Sequence, residues 1–186
     1  MTNIGVFDSG LGGLTVLNEL SKNHKANYFY LGDNKNVPYG NRSNNEIIEF
    51  SKNVVKFLEK KDIDFYVIAC NTISVIAIDE LTKTFNKKFI SITDQAISEA
   101  INNDGDVFVM ATKATCLKHV YKERIEKNSK NKVYEKACIS LVNYIEDGNI
   151  YGENIGNDIK EYLSLANKNK IKNIILGCTH YPIIEE

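Results

Sequence analysis

Residues 64–85 have the sequence DFYVIACNTISVIAIDELTKTF, which predicts one strand followed by one helix. The run from Phe65 to Cys70 is apolar without a break, which is typical of a parallel strand covered on both faces. The segment that follows has apolar residues at helical spacing and predicts a helix from Thr72 to Phe85. A buried strand leading directly into a helix is the repeating unit of α/β proteins.

Strand-like and helix-like segments alternate along the whole chain. The predicted strands are NIGVF, NYFYLG, DFYVIAC, KFISI, DVFVMAT and IKNIILGC, and amphipathic helices are predicted between them. Only residues 132–148 lack a regular pattern. The alternation predicts parallel sheets joined by right-handed crossovers. Because the rhythm restarts near Thr93, we expect an N-terminal α/β lobe at 1–93 and a second α/β lobe at 94–186.

Composition excludes several classes of protein. The chain has 186 residues, a formal net charge of -1 and a hydrophobic fraction of 43%, which suits one or two small domains with a real core. The balanced charge argues against a nucleic-acid partner. No apolar run approaches the ~18 residues of a membrane span, and the N-terminus lacks a signal-peptide pattern. We therefore expect a cytoplasmic protein without a membrane partner, whose four cysteines stay as thiols.

The predicted strands end in polar residues, and parallel α/β sheets bind their ligands at those ends. The motifs that follow the strands are DSGLGG, GDNKNVPYG, CNT, TKAT and CTH. The glycine-rich DSGLGGLT lacks the Lys-Ser/Thr of a Walker loop and the third glycine of a dinucleotide fingerprint. It predicts either a cradle for an anion or carboxylate at a helix start, or a purely structural turn.

Two of the four cysteines share one sequence context. Cys70 and Cys178 each open a polar turn after an apolar strand, whereas Cys116 and Cys138 fit the ordinary role of small buried apolar residues. A position at a helix N-terminus predicts a thiol pKa lowered from ~8.5 toward neutrality. A metal site lacks a clear fourth ligand, and a Cys–His protease leaves the second cysteine unexplained. Two thiols facing one pocket could instead remove a proton from one face of a carbon and return one to the other, inverting a stereocentre.

Five motifs carry a resemblance to a known family. IGVFDSGLGGLTV, YLGDNKNVPYG, ACNTIS, VMATKATCLKHVY and LGCTHYP together resemble the glutamate racemases of the aspartate/glutamate racemase superfamily. The resemblance implies two similar lobes, each a parallel sheet flanked by helices, with the active site in the cleft between them. It implies L- and D-glutamate as the small-molecule substrate, no metal and no pyridoxal phosphate or other cofactor. The D-glutamate formed would supply peptidoglycan synthesis.

The resemblance also implies roles for individual residues. Cys70 and Cys178 would be the paired acid and base, with Asp8 assisting the first thiol, His180 assisting the second and Glu146 lying near the second. The residues implied in binding the carboxylates and ammonium of the substrate are Asp8, Ser9, Tyr39, Gly40, Asn71, Thr72, Thr115, Thr179 and His180.

Members of the family continue past the CTHYP motif with a tail that completes the first lobe. In the 186-residue chain we therefore expect an incomplete first lobe, exposed apolar surface and reduced stability. The alternative to an active enzyme is a catalytically impaired remnant that keeps the fold and binds an acidic amino acid. An aspartate-specific racemase is a third hypothesis. The oligomeric state stays open, with a homodimer as one assembly to test.

Overall fold

The computed structural model describes residues 1–184, which form two parallel β-sheets flanked by helices. The strands are β1 (Asn3–Asp8), β2 (Asn27–Gly32), β3 (Phe65–Ile68), β4 (Lys88–Ser91), β5 (Val107–Ala111), β6 (Val133–Ala137) and β7 (Asn173–Gly177). The α-helices are α1 (Gly13–Asn23), α2 (Asn44–Leu58), α3 (Asn71–Ile76), α4 (Ile78–Thr84), α5 (Ile92–Asn102), α6 (Lys113–Lys118), α7 (Val120–Asn128), α8 (Leu141–Glu146) and α9 (Glu153–Lys168). Short 3₁₀ helices occupy Tyr39–Asn41, Glu59–Lys61 and Tyr181–Ile184.

The first sheet has four strands in the order β2-β1-β3-β4, and all neighbouring strands are parallel. One face packs against α2, α3 and α4, around Phe7, Val55 and Leu81. The other face packs against α1, around Val6 and Val67. Because both faces are covered, the strands β1 and β3 carry almost no polar side chain before their carboxyl ends.

The second sheet has three parallel strands in the order β6-β5-β7. The central strand β5 is buried along its whole length, as its sequence VFVMA predicts. The 3₁₀ helix at Tyr181–Ile184 packs together with α8 and α9 in one apolar cluster, and α5 and α7 contribute to a second. The predicted fold class, two lobes that are each a parallel sheet flanked by helices, is therefore confirmed.

The predicted division at Thr93 falls inside α5, whose Ile97 and Ala100 pack with Val107 of β5 in the second apolar cluster. The exact domain boundary stays a prediction, as does the incompleteness of the first lobe. Beside α1, the first lobe has an apolar groove of about 410 Å³, and Ile90 in its wall is 39% exposed. None of the helices in residues 1–184 is both long and apolar enough to cross a membrane.

Candidate active site

The two matched cysteines lie at the carboxyl ends of strands from different sheets. Cys70 follows β3 and directly precedes α3, and Cys178 follows β7. Asp8 is the last residue of β1, the strand that pairs with β3. All three side chains are buried, with exposures of 4% for Cys70, 7% for Cys178 and 0% for Asp8. Parallel strands thus bring their polar ends to one place, as the topology of α/β sheets requires.

The carboxylate of Asp8 connects the two lobes. Its Oδ1 accepts a hydrogen bond from the Ser9 backbone N–H at 2.8 Å, and its Oδ2 accepts one from the Gly13 N–H at 2.5 Å. From the second lobe, the hydroxyl of Thr179 donates to Asp8 Oδ2 at 3.2 Å. The amides of the glycine-rich turn thus hold a carboxylate of the chain itself, which fits the structural reading of this turn, and a ligand anion there stays a prediction.

Each thiol has its own polar partners. The Cys70 Sγ donates to the Ser9 hydroxyl at 3.5 Å. The Cys178 Sγ lies 3.6 Å from Nδ1 of His180, and Nε2 of the same ring lies 2.5 Å from Glu146 Oε1. His180 is 2% exposed, so its ring is held between the thiol and the carboxylate without contact to bulk water. Cys178, His180 and Glu146 thus form a hydrogen-bonded row that could move a proton to or from the thiol.

Burial dominates the electrostatics of this site. It raises the pKa of the Cys70 thiol to about 12, and the negative charge of Asp8 adds to the rise. It raises the pKa of Cys178 well above its ordinary value. It also raises the pKa of Asp8, although the charge of His180 and hydrogen bonds from Cys70, Ser9 and Gly13 act in the opposite direction.

The prediction that a helix N-terminus lowers both thiol pKa values is wrong. The helix that follows Cys70 has only six residues, and Cys178 is followed by a 3₁₀ helix. Such short helices offer little dipole, whereas removal of a thiolate from water is costly. Desolvation therefore outweighs the helix N-terminus at both positions.

The first turn of α3 meets the second lobe. The Tyr121 hydroxyl donates to Asn71 Oδ1 at 2.5 Å. The hydroxyl of Thr72 lies 2.9 Å from that of Thr112 and 3.3 Å from that of Thr115. These contacts join the amino end of α3 to α6 and α7, so the cleft between the lobes is closed on this side.

The loop after β2 contacts the second lobe. Tyr39 is 1% exposed, and its hydroxyl donates to Asp33 Oδ2 at 2.7 Å. Gly40 lies against Thr112 so closely that a Cβ on it would come within 2.7 Å of the Thr112 Cβ. A cavity of about 760 Å³ borders Gly40 and opens between the lobes. Its lining includes three cationic side chains, those of Arg42, Lys113 and Lys118.

Comparison with known proteins identifies the family of this chain. The family model described as Asp/Glu/Hydantoin racemase matches residues 5–186. The chain belongs to the Asp/Glu/hydantoin racemase family.

Individual racemases are similar to the chain over nearly its whole length. The glutamate racemase of Clostridium perfringens (strain SM101 / Type A) is 40% identical over 187 residues, which cover 98% of this chain and 72% of the relative. That of Aquifex aeolicus is 38% identical over 185 residues, with coverages of 98% and 72%. The crystal structure of glutamate racemase from Francisella tularensis in complex with D-glutamate matches with a TM-score of 0.91 and 38% identity, covering 99% of this chain and 71% of that one.

In this racemase-family chain, the structure brings together the residues that the sequence singled out. Those linked by the contacts above are Asp8, Ser9, Cys70, Asn71, Thr72, Thr115, Glu146, Cys178, Thr179 and His180. Tyr39 packs in the same apolar cluster as Cys70, although its hydroxyl is engaged by Asp33. Gly40 lies against Thr112 and borders the neighbouring cavity. The chemical roles of these residues stay predictions. No group of three or more His, Cys, Asp or Glu side chains within residues 1–184 is arranged to hold a metal ion.

Sequence reasoning missed two residues that touch this site from the second lobe. Thr112 stands in the TKAT motif at the end of β5, so its place at a strand end was a usable signal. Tyr121 is the last residue of the motif VMATKATCLKHVY, but its place on the apolar face of an amphipathic helix did not indicate a polar role. Only the tertiary structure reveals that its hydroxyl reaches Asn71.

Proposed function

We propose that this protein interconverts L- and D-glutamate by proton transfer at Cα, with Cys70 and Cys178 as the paired acid and base and with no cofactor. One observation carries the proposal. Two buried thiols follow strands of different sheets, and each has a separate partner that can exchange protons with it. Asp8 serves this role beside Cys70, and His180, backed by Glu146, serves it beside Cys178. The racemases to which the chain is similar support the same conclusion.

The reaction needs no change of oxidation state. The thiolate of one cysteine takes the proton from Cα, so that an S–H bond forms while the C–H bond breaks and its electron pair stays on the substrate as a carbanion. The other cysteine then gives its proton to the opposite face of the same carbon and becomes the thiolate. The reverse reaction exchanges the two roles, which explains why a cysteine motif occurs twice.

The raised thiol pKa values indicate that the resting site holds both cysteines as thiols. A thiolate must then form when the substrate binds. An ammonium group bound beside Asp8 would place a positive charge near Cys70, which favours the thiolate and lowers the thiol pKa. The Asp8 carboxylate, whose own pKa is raised by burial, is a suitable acceptor for the proton that Cys70 releases.

Several features favour an acidic amino acid as the substrate. The Asn71 amide and the hydroxyls of Ser9 and Thr115 are the kind of donors that hold carboxylates. Arg42, Lys113 and Lys118 line the neighbouring cavity and attract anions toward the cleft. The similar Francisella racemase was crystallised with D-glutamate, which supports glutamate itself.

The two-thiol mechanism is tested by single substitutions of each cysteine. A serine hydroxyl is a far weaker acid than a thiol, so Cys70→Ser and Cys178→Ser should each lower kcat for racemisation by about 10²–10⁴-fold in both directions. Cys116→Ser makes the same chemical change at a cysteine that makes none of the site contacts, and it should keep parental activity. Parental rates in both Ser variants would overturn the mechanism. Circular dichroism at a wavelength sensitive to the enantiomers follows the reaction.

The alternative, a remnant that binds an acidic amino acid without turnover, can be distinguished by thermal stability measured together with racemisation. A ligand at a hundredfold excess over Kd stabilises the folded state by about 2.7 kcal/mol, or roughly 5–10 °C in Tm for a chain of this size. Either enantiomer of glutamate should raise Tm, whereas L-alanine, which lacks the distal carboxylate, should not. A rise in Tm without any racemisation would favour the remnant.

We further propose that the protein acts in the cytoplasm and supplies D-glutamate for peptidoglycan synthesis. The support comes from relatives that carry the name glutamate racemase in bacteria. Expression of the chain in a bacterium that requires added D-glutamate should restore growth without the supplement, and a Cys70→Ser variant should not. A homodimer stays a prediction, which sedimentation analysis can test.

A further inference from the structure

Two consecutive residues of α3, Asn71 and Thr72, make their side-chain hydrogen bonds to the opposite lobe. Both are buried, with exposures of 6% and 3%. Asn71 bonds to Tyr121 of α7, and Thr72 bonds to Thr112, the residue that caps α6. Hydrogen bonds from the second lobe therefore fix the orientation of the Asn71 amide and the Thr72 hydroxyl in the cleft.

The contact with Tyr121 fixes which end of the Asn71 amide is free. Tyr121 is 1% exposed, and burial raises the pKa of its phenol, so the hydroxyl keeps its proton and donates it to Oδ1. The Nδ2 group, with its two protons, donates to no other group in residues 1–184. An amide turned the other way would present an acceptor instead. The fixed orientation suits a carboxylate, which only accepts hydrogen bonds.

Thr112 orders a row of three hydroxyls. Its Oγ accepts from the Thr115 backbone N–H at 3.2 Å, and its single proton is donated to the Thr115 hydroxyl at 3.0 Å. The 2.9 Å bond between Thr112 and Thr72 must then use the proton of Thr72. The proton of Thr115 is left for the weaker 3.3 Å contact with Thr72 or for a ligand. Thr112 thus makes Thr115 the hydroxyl donor of the row.

We propose that Tyr121 and Thr112 are positioning residues, which hold the Asn71 amide and the Thr115 hydroxyl as donors aimed at a substrate carboxylate. Neither needs to touch the substrate, because each acts through a hydrogen bond to a residue that does. The proposal rests on the function proposed above and names a part of its binding site that lies behind the residues in contact with glutamate.

The test removes each hydroxyl without changing the shape of the side chain. Tyr121→Phe should raise both the Kd of glutamate, measured by calorimetry, and its KM by about tenfold, the factor that ~1.4 kcal/mol produces, with a smaller change in kcat. Thr112→Val should act in the same way. Thr112→Ser keeps the hydroxyl and should restore binding.

A matched control separates positioning from a general loss of stability. Tyr28→Phe removes a phenol whose hydroxyl, within residues 1–184, bonds the carbonyls of Leu20 and His24 in the first lobe. It should leave Kd and KM at parental values even where Tm falls. Provided that the parent racemises glutamate, two results would overturn the proposal. One is parental Kd and KM values in Tyr121→Phe and Thr112→Val. The other is equal Kd and KM values in Thr112→Val and Thr112→Ser. If the parent binds glutamate without racemising it, the proposed function is refuted. The comparison of Kd values between the variants and the parent still tests the positioning roles of Tyr121 and Thr112.

Discussion

Replacement of Gly12 by alanine should impair catalysis by pushing the two lobes apart. A Cβ on Gly12 would lie 2.6 Å from the Thr179 hydroxyl and 2.8 Å from His180 Nδ1, where ordinary contacts begin near 3.4 Å. Both neighbours belong to the second lobe, so the contact must widen by about 0.8 Å, and a misplacement of ~1 Å can cost about 10²-fold in rate. The backbone of Gly12 has φ -56° and ψ -34°, which alanine adopts freely, so the effect is steric.

We therefore expect Gly12→Ala to lower kcat for racemisation by about 10²-fold and to reduce the free energy of unfolding by about 1–3 kcal/mol through overpacking. The matched control is Gly156→Ala in α9, where an added Cβ meets no atom of residues 1–184 within 4 Å. It should keep full activity and gain up to ~1 kcal/mol of stability, since alanine favours a helix over glycine. Parental kcat in Gly12→Ala would refute the view that close contact between the lobes at this point is required.

Three further changes test the account at separate places. Ser43→Ala removes the capping box that Ser43 and Glu46 form at the start of α2, so urea denaturation should show a loss of about 1 kcal/mol with KM unchanged; a loss of activity would contradict this. In the parent, the free energy of unfolding should fall as pH rises from 9.0 toward 12, because the Cys70 thiol ionises in the unfolded chain while burial keeps it protonated in the folded one. The free energy of unfolding of Cys70→Ala should fall less steeply over the same range. Equal slopes in the two proteins would contradict a buried neutral thiol at Cys70. Glu146→Gln replaces the charged partner of His180 and should lower kcat by about 10–100-fold with little change in Tm, whereas an unchanged kcat would exclude a part for Glu146.

The sequence predicted most of the site because the chemistry lies at strand ends. The apolar runs of β1, β3, β5 and β7 stand out from their surroundings, so the polar residues that follow them could be recognised in the sequence alone. Parallel pairing then brings those residues together, which is a property of the topology and needs no knowledge of the particular side chains.

Elements that depend on tertiary packing were less predictable. The strand β6 has the sequence VYEKA, and it lies within a stretch that showed no regular pattern. It is an edge strand with mostly half-buried residues, so pairing with β5 defines it more than its own pattern does. The two predicted helices after β3 and β5 are each divided, at Ala77 and at His119, and His119 has a left-handed φ of 51°. Helical periodicity continues across such a break and does not reveal it.

The thiol pKa values show a different kind of limit. A helix start is visible in the sequence, but the depth at which a thiol is buried is not. The favourable effect of six residues of helix was therefore overestimated for Cys70, and the desolvation that dominates there could be found only from the structure.

The central claim, that two thiols act on opposite faces of one carbon, is tested most directly by racemisation in deuterated water. Starting from L-glutamate, the initial D-glutamate should carry deuterium at Cα, because the donating thiol exchanges with solvent. The L-glutamate that remains should carry none during the same period, since the group that removes its proton does not return a deuteron to that face. Equal deuterium in both enantiomers from the earliest times would indicate a single base, and absence of deuterium from both would contradict proton abstraction altogether.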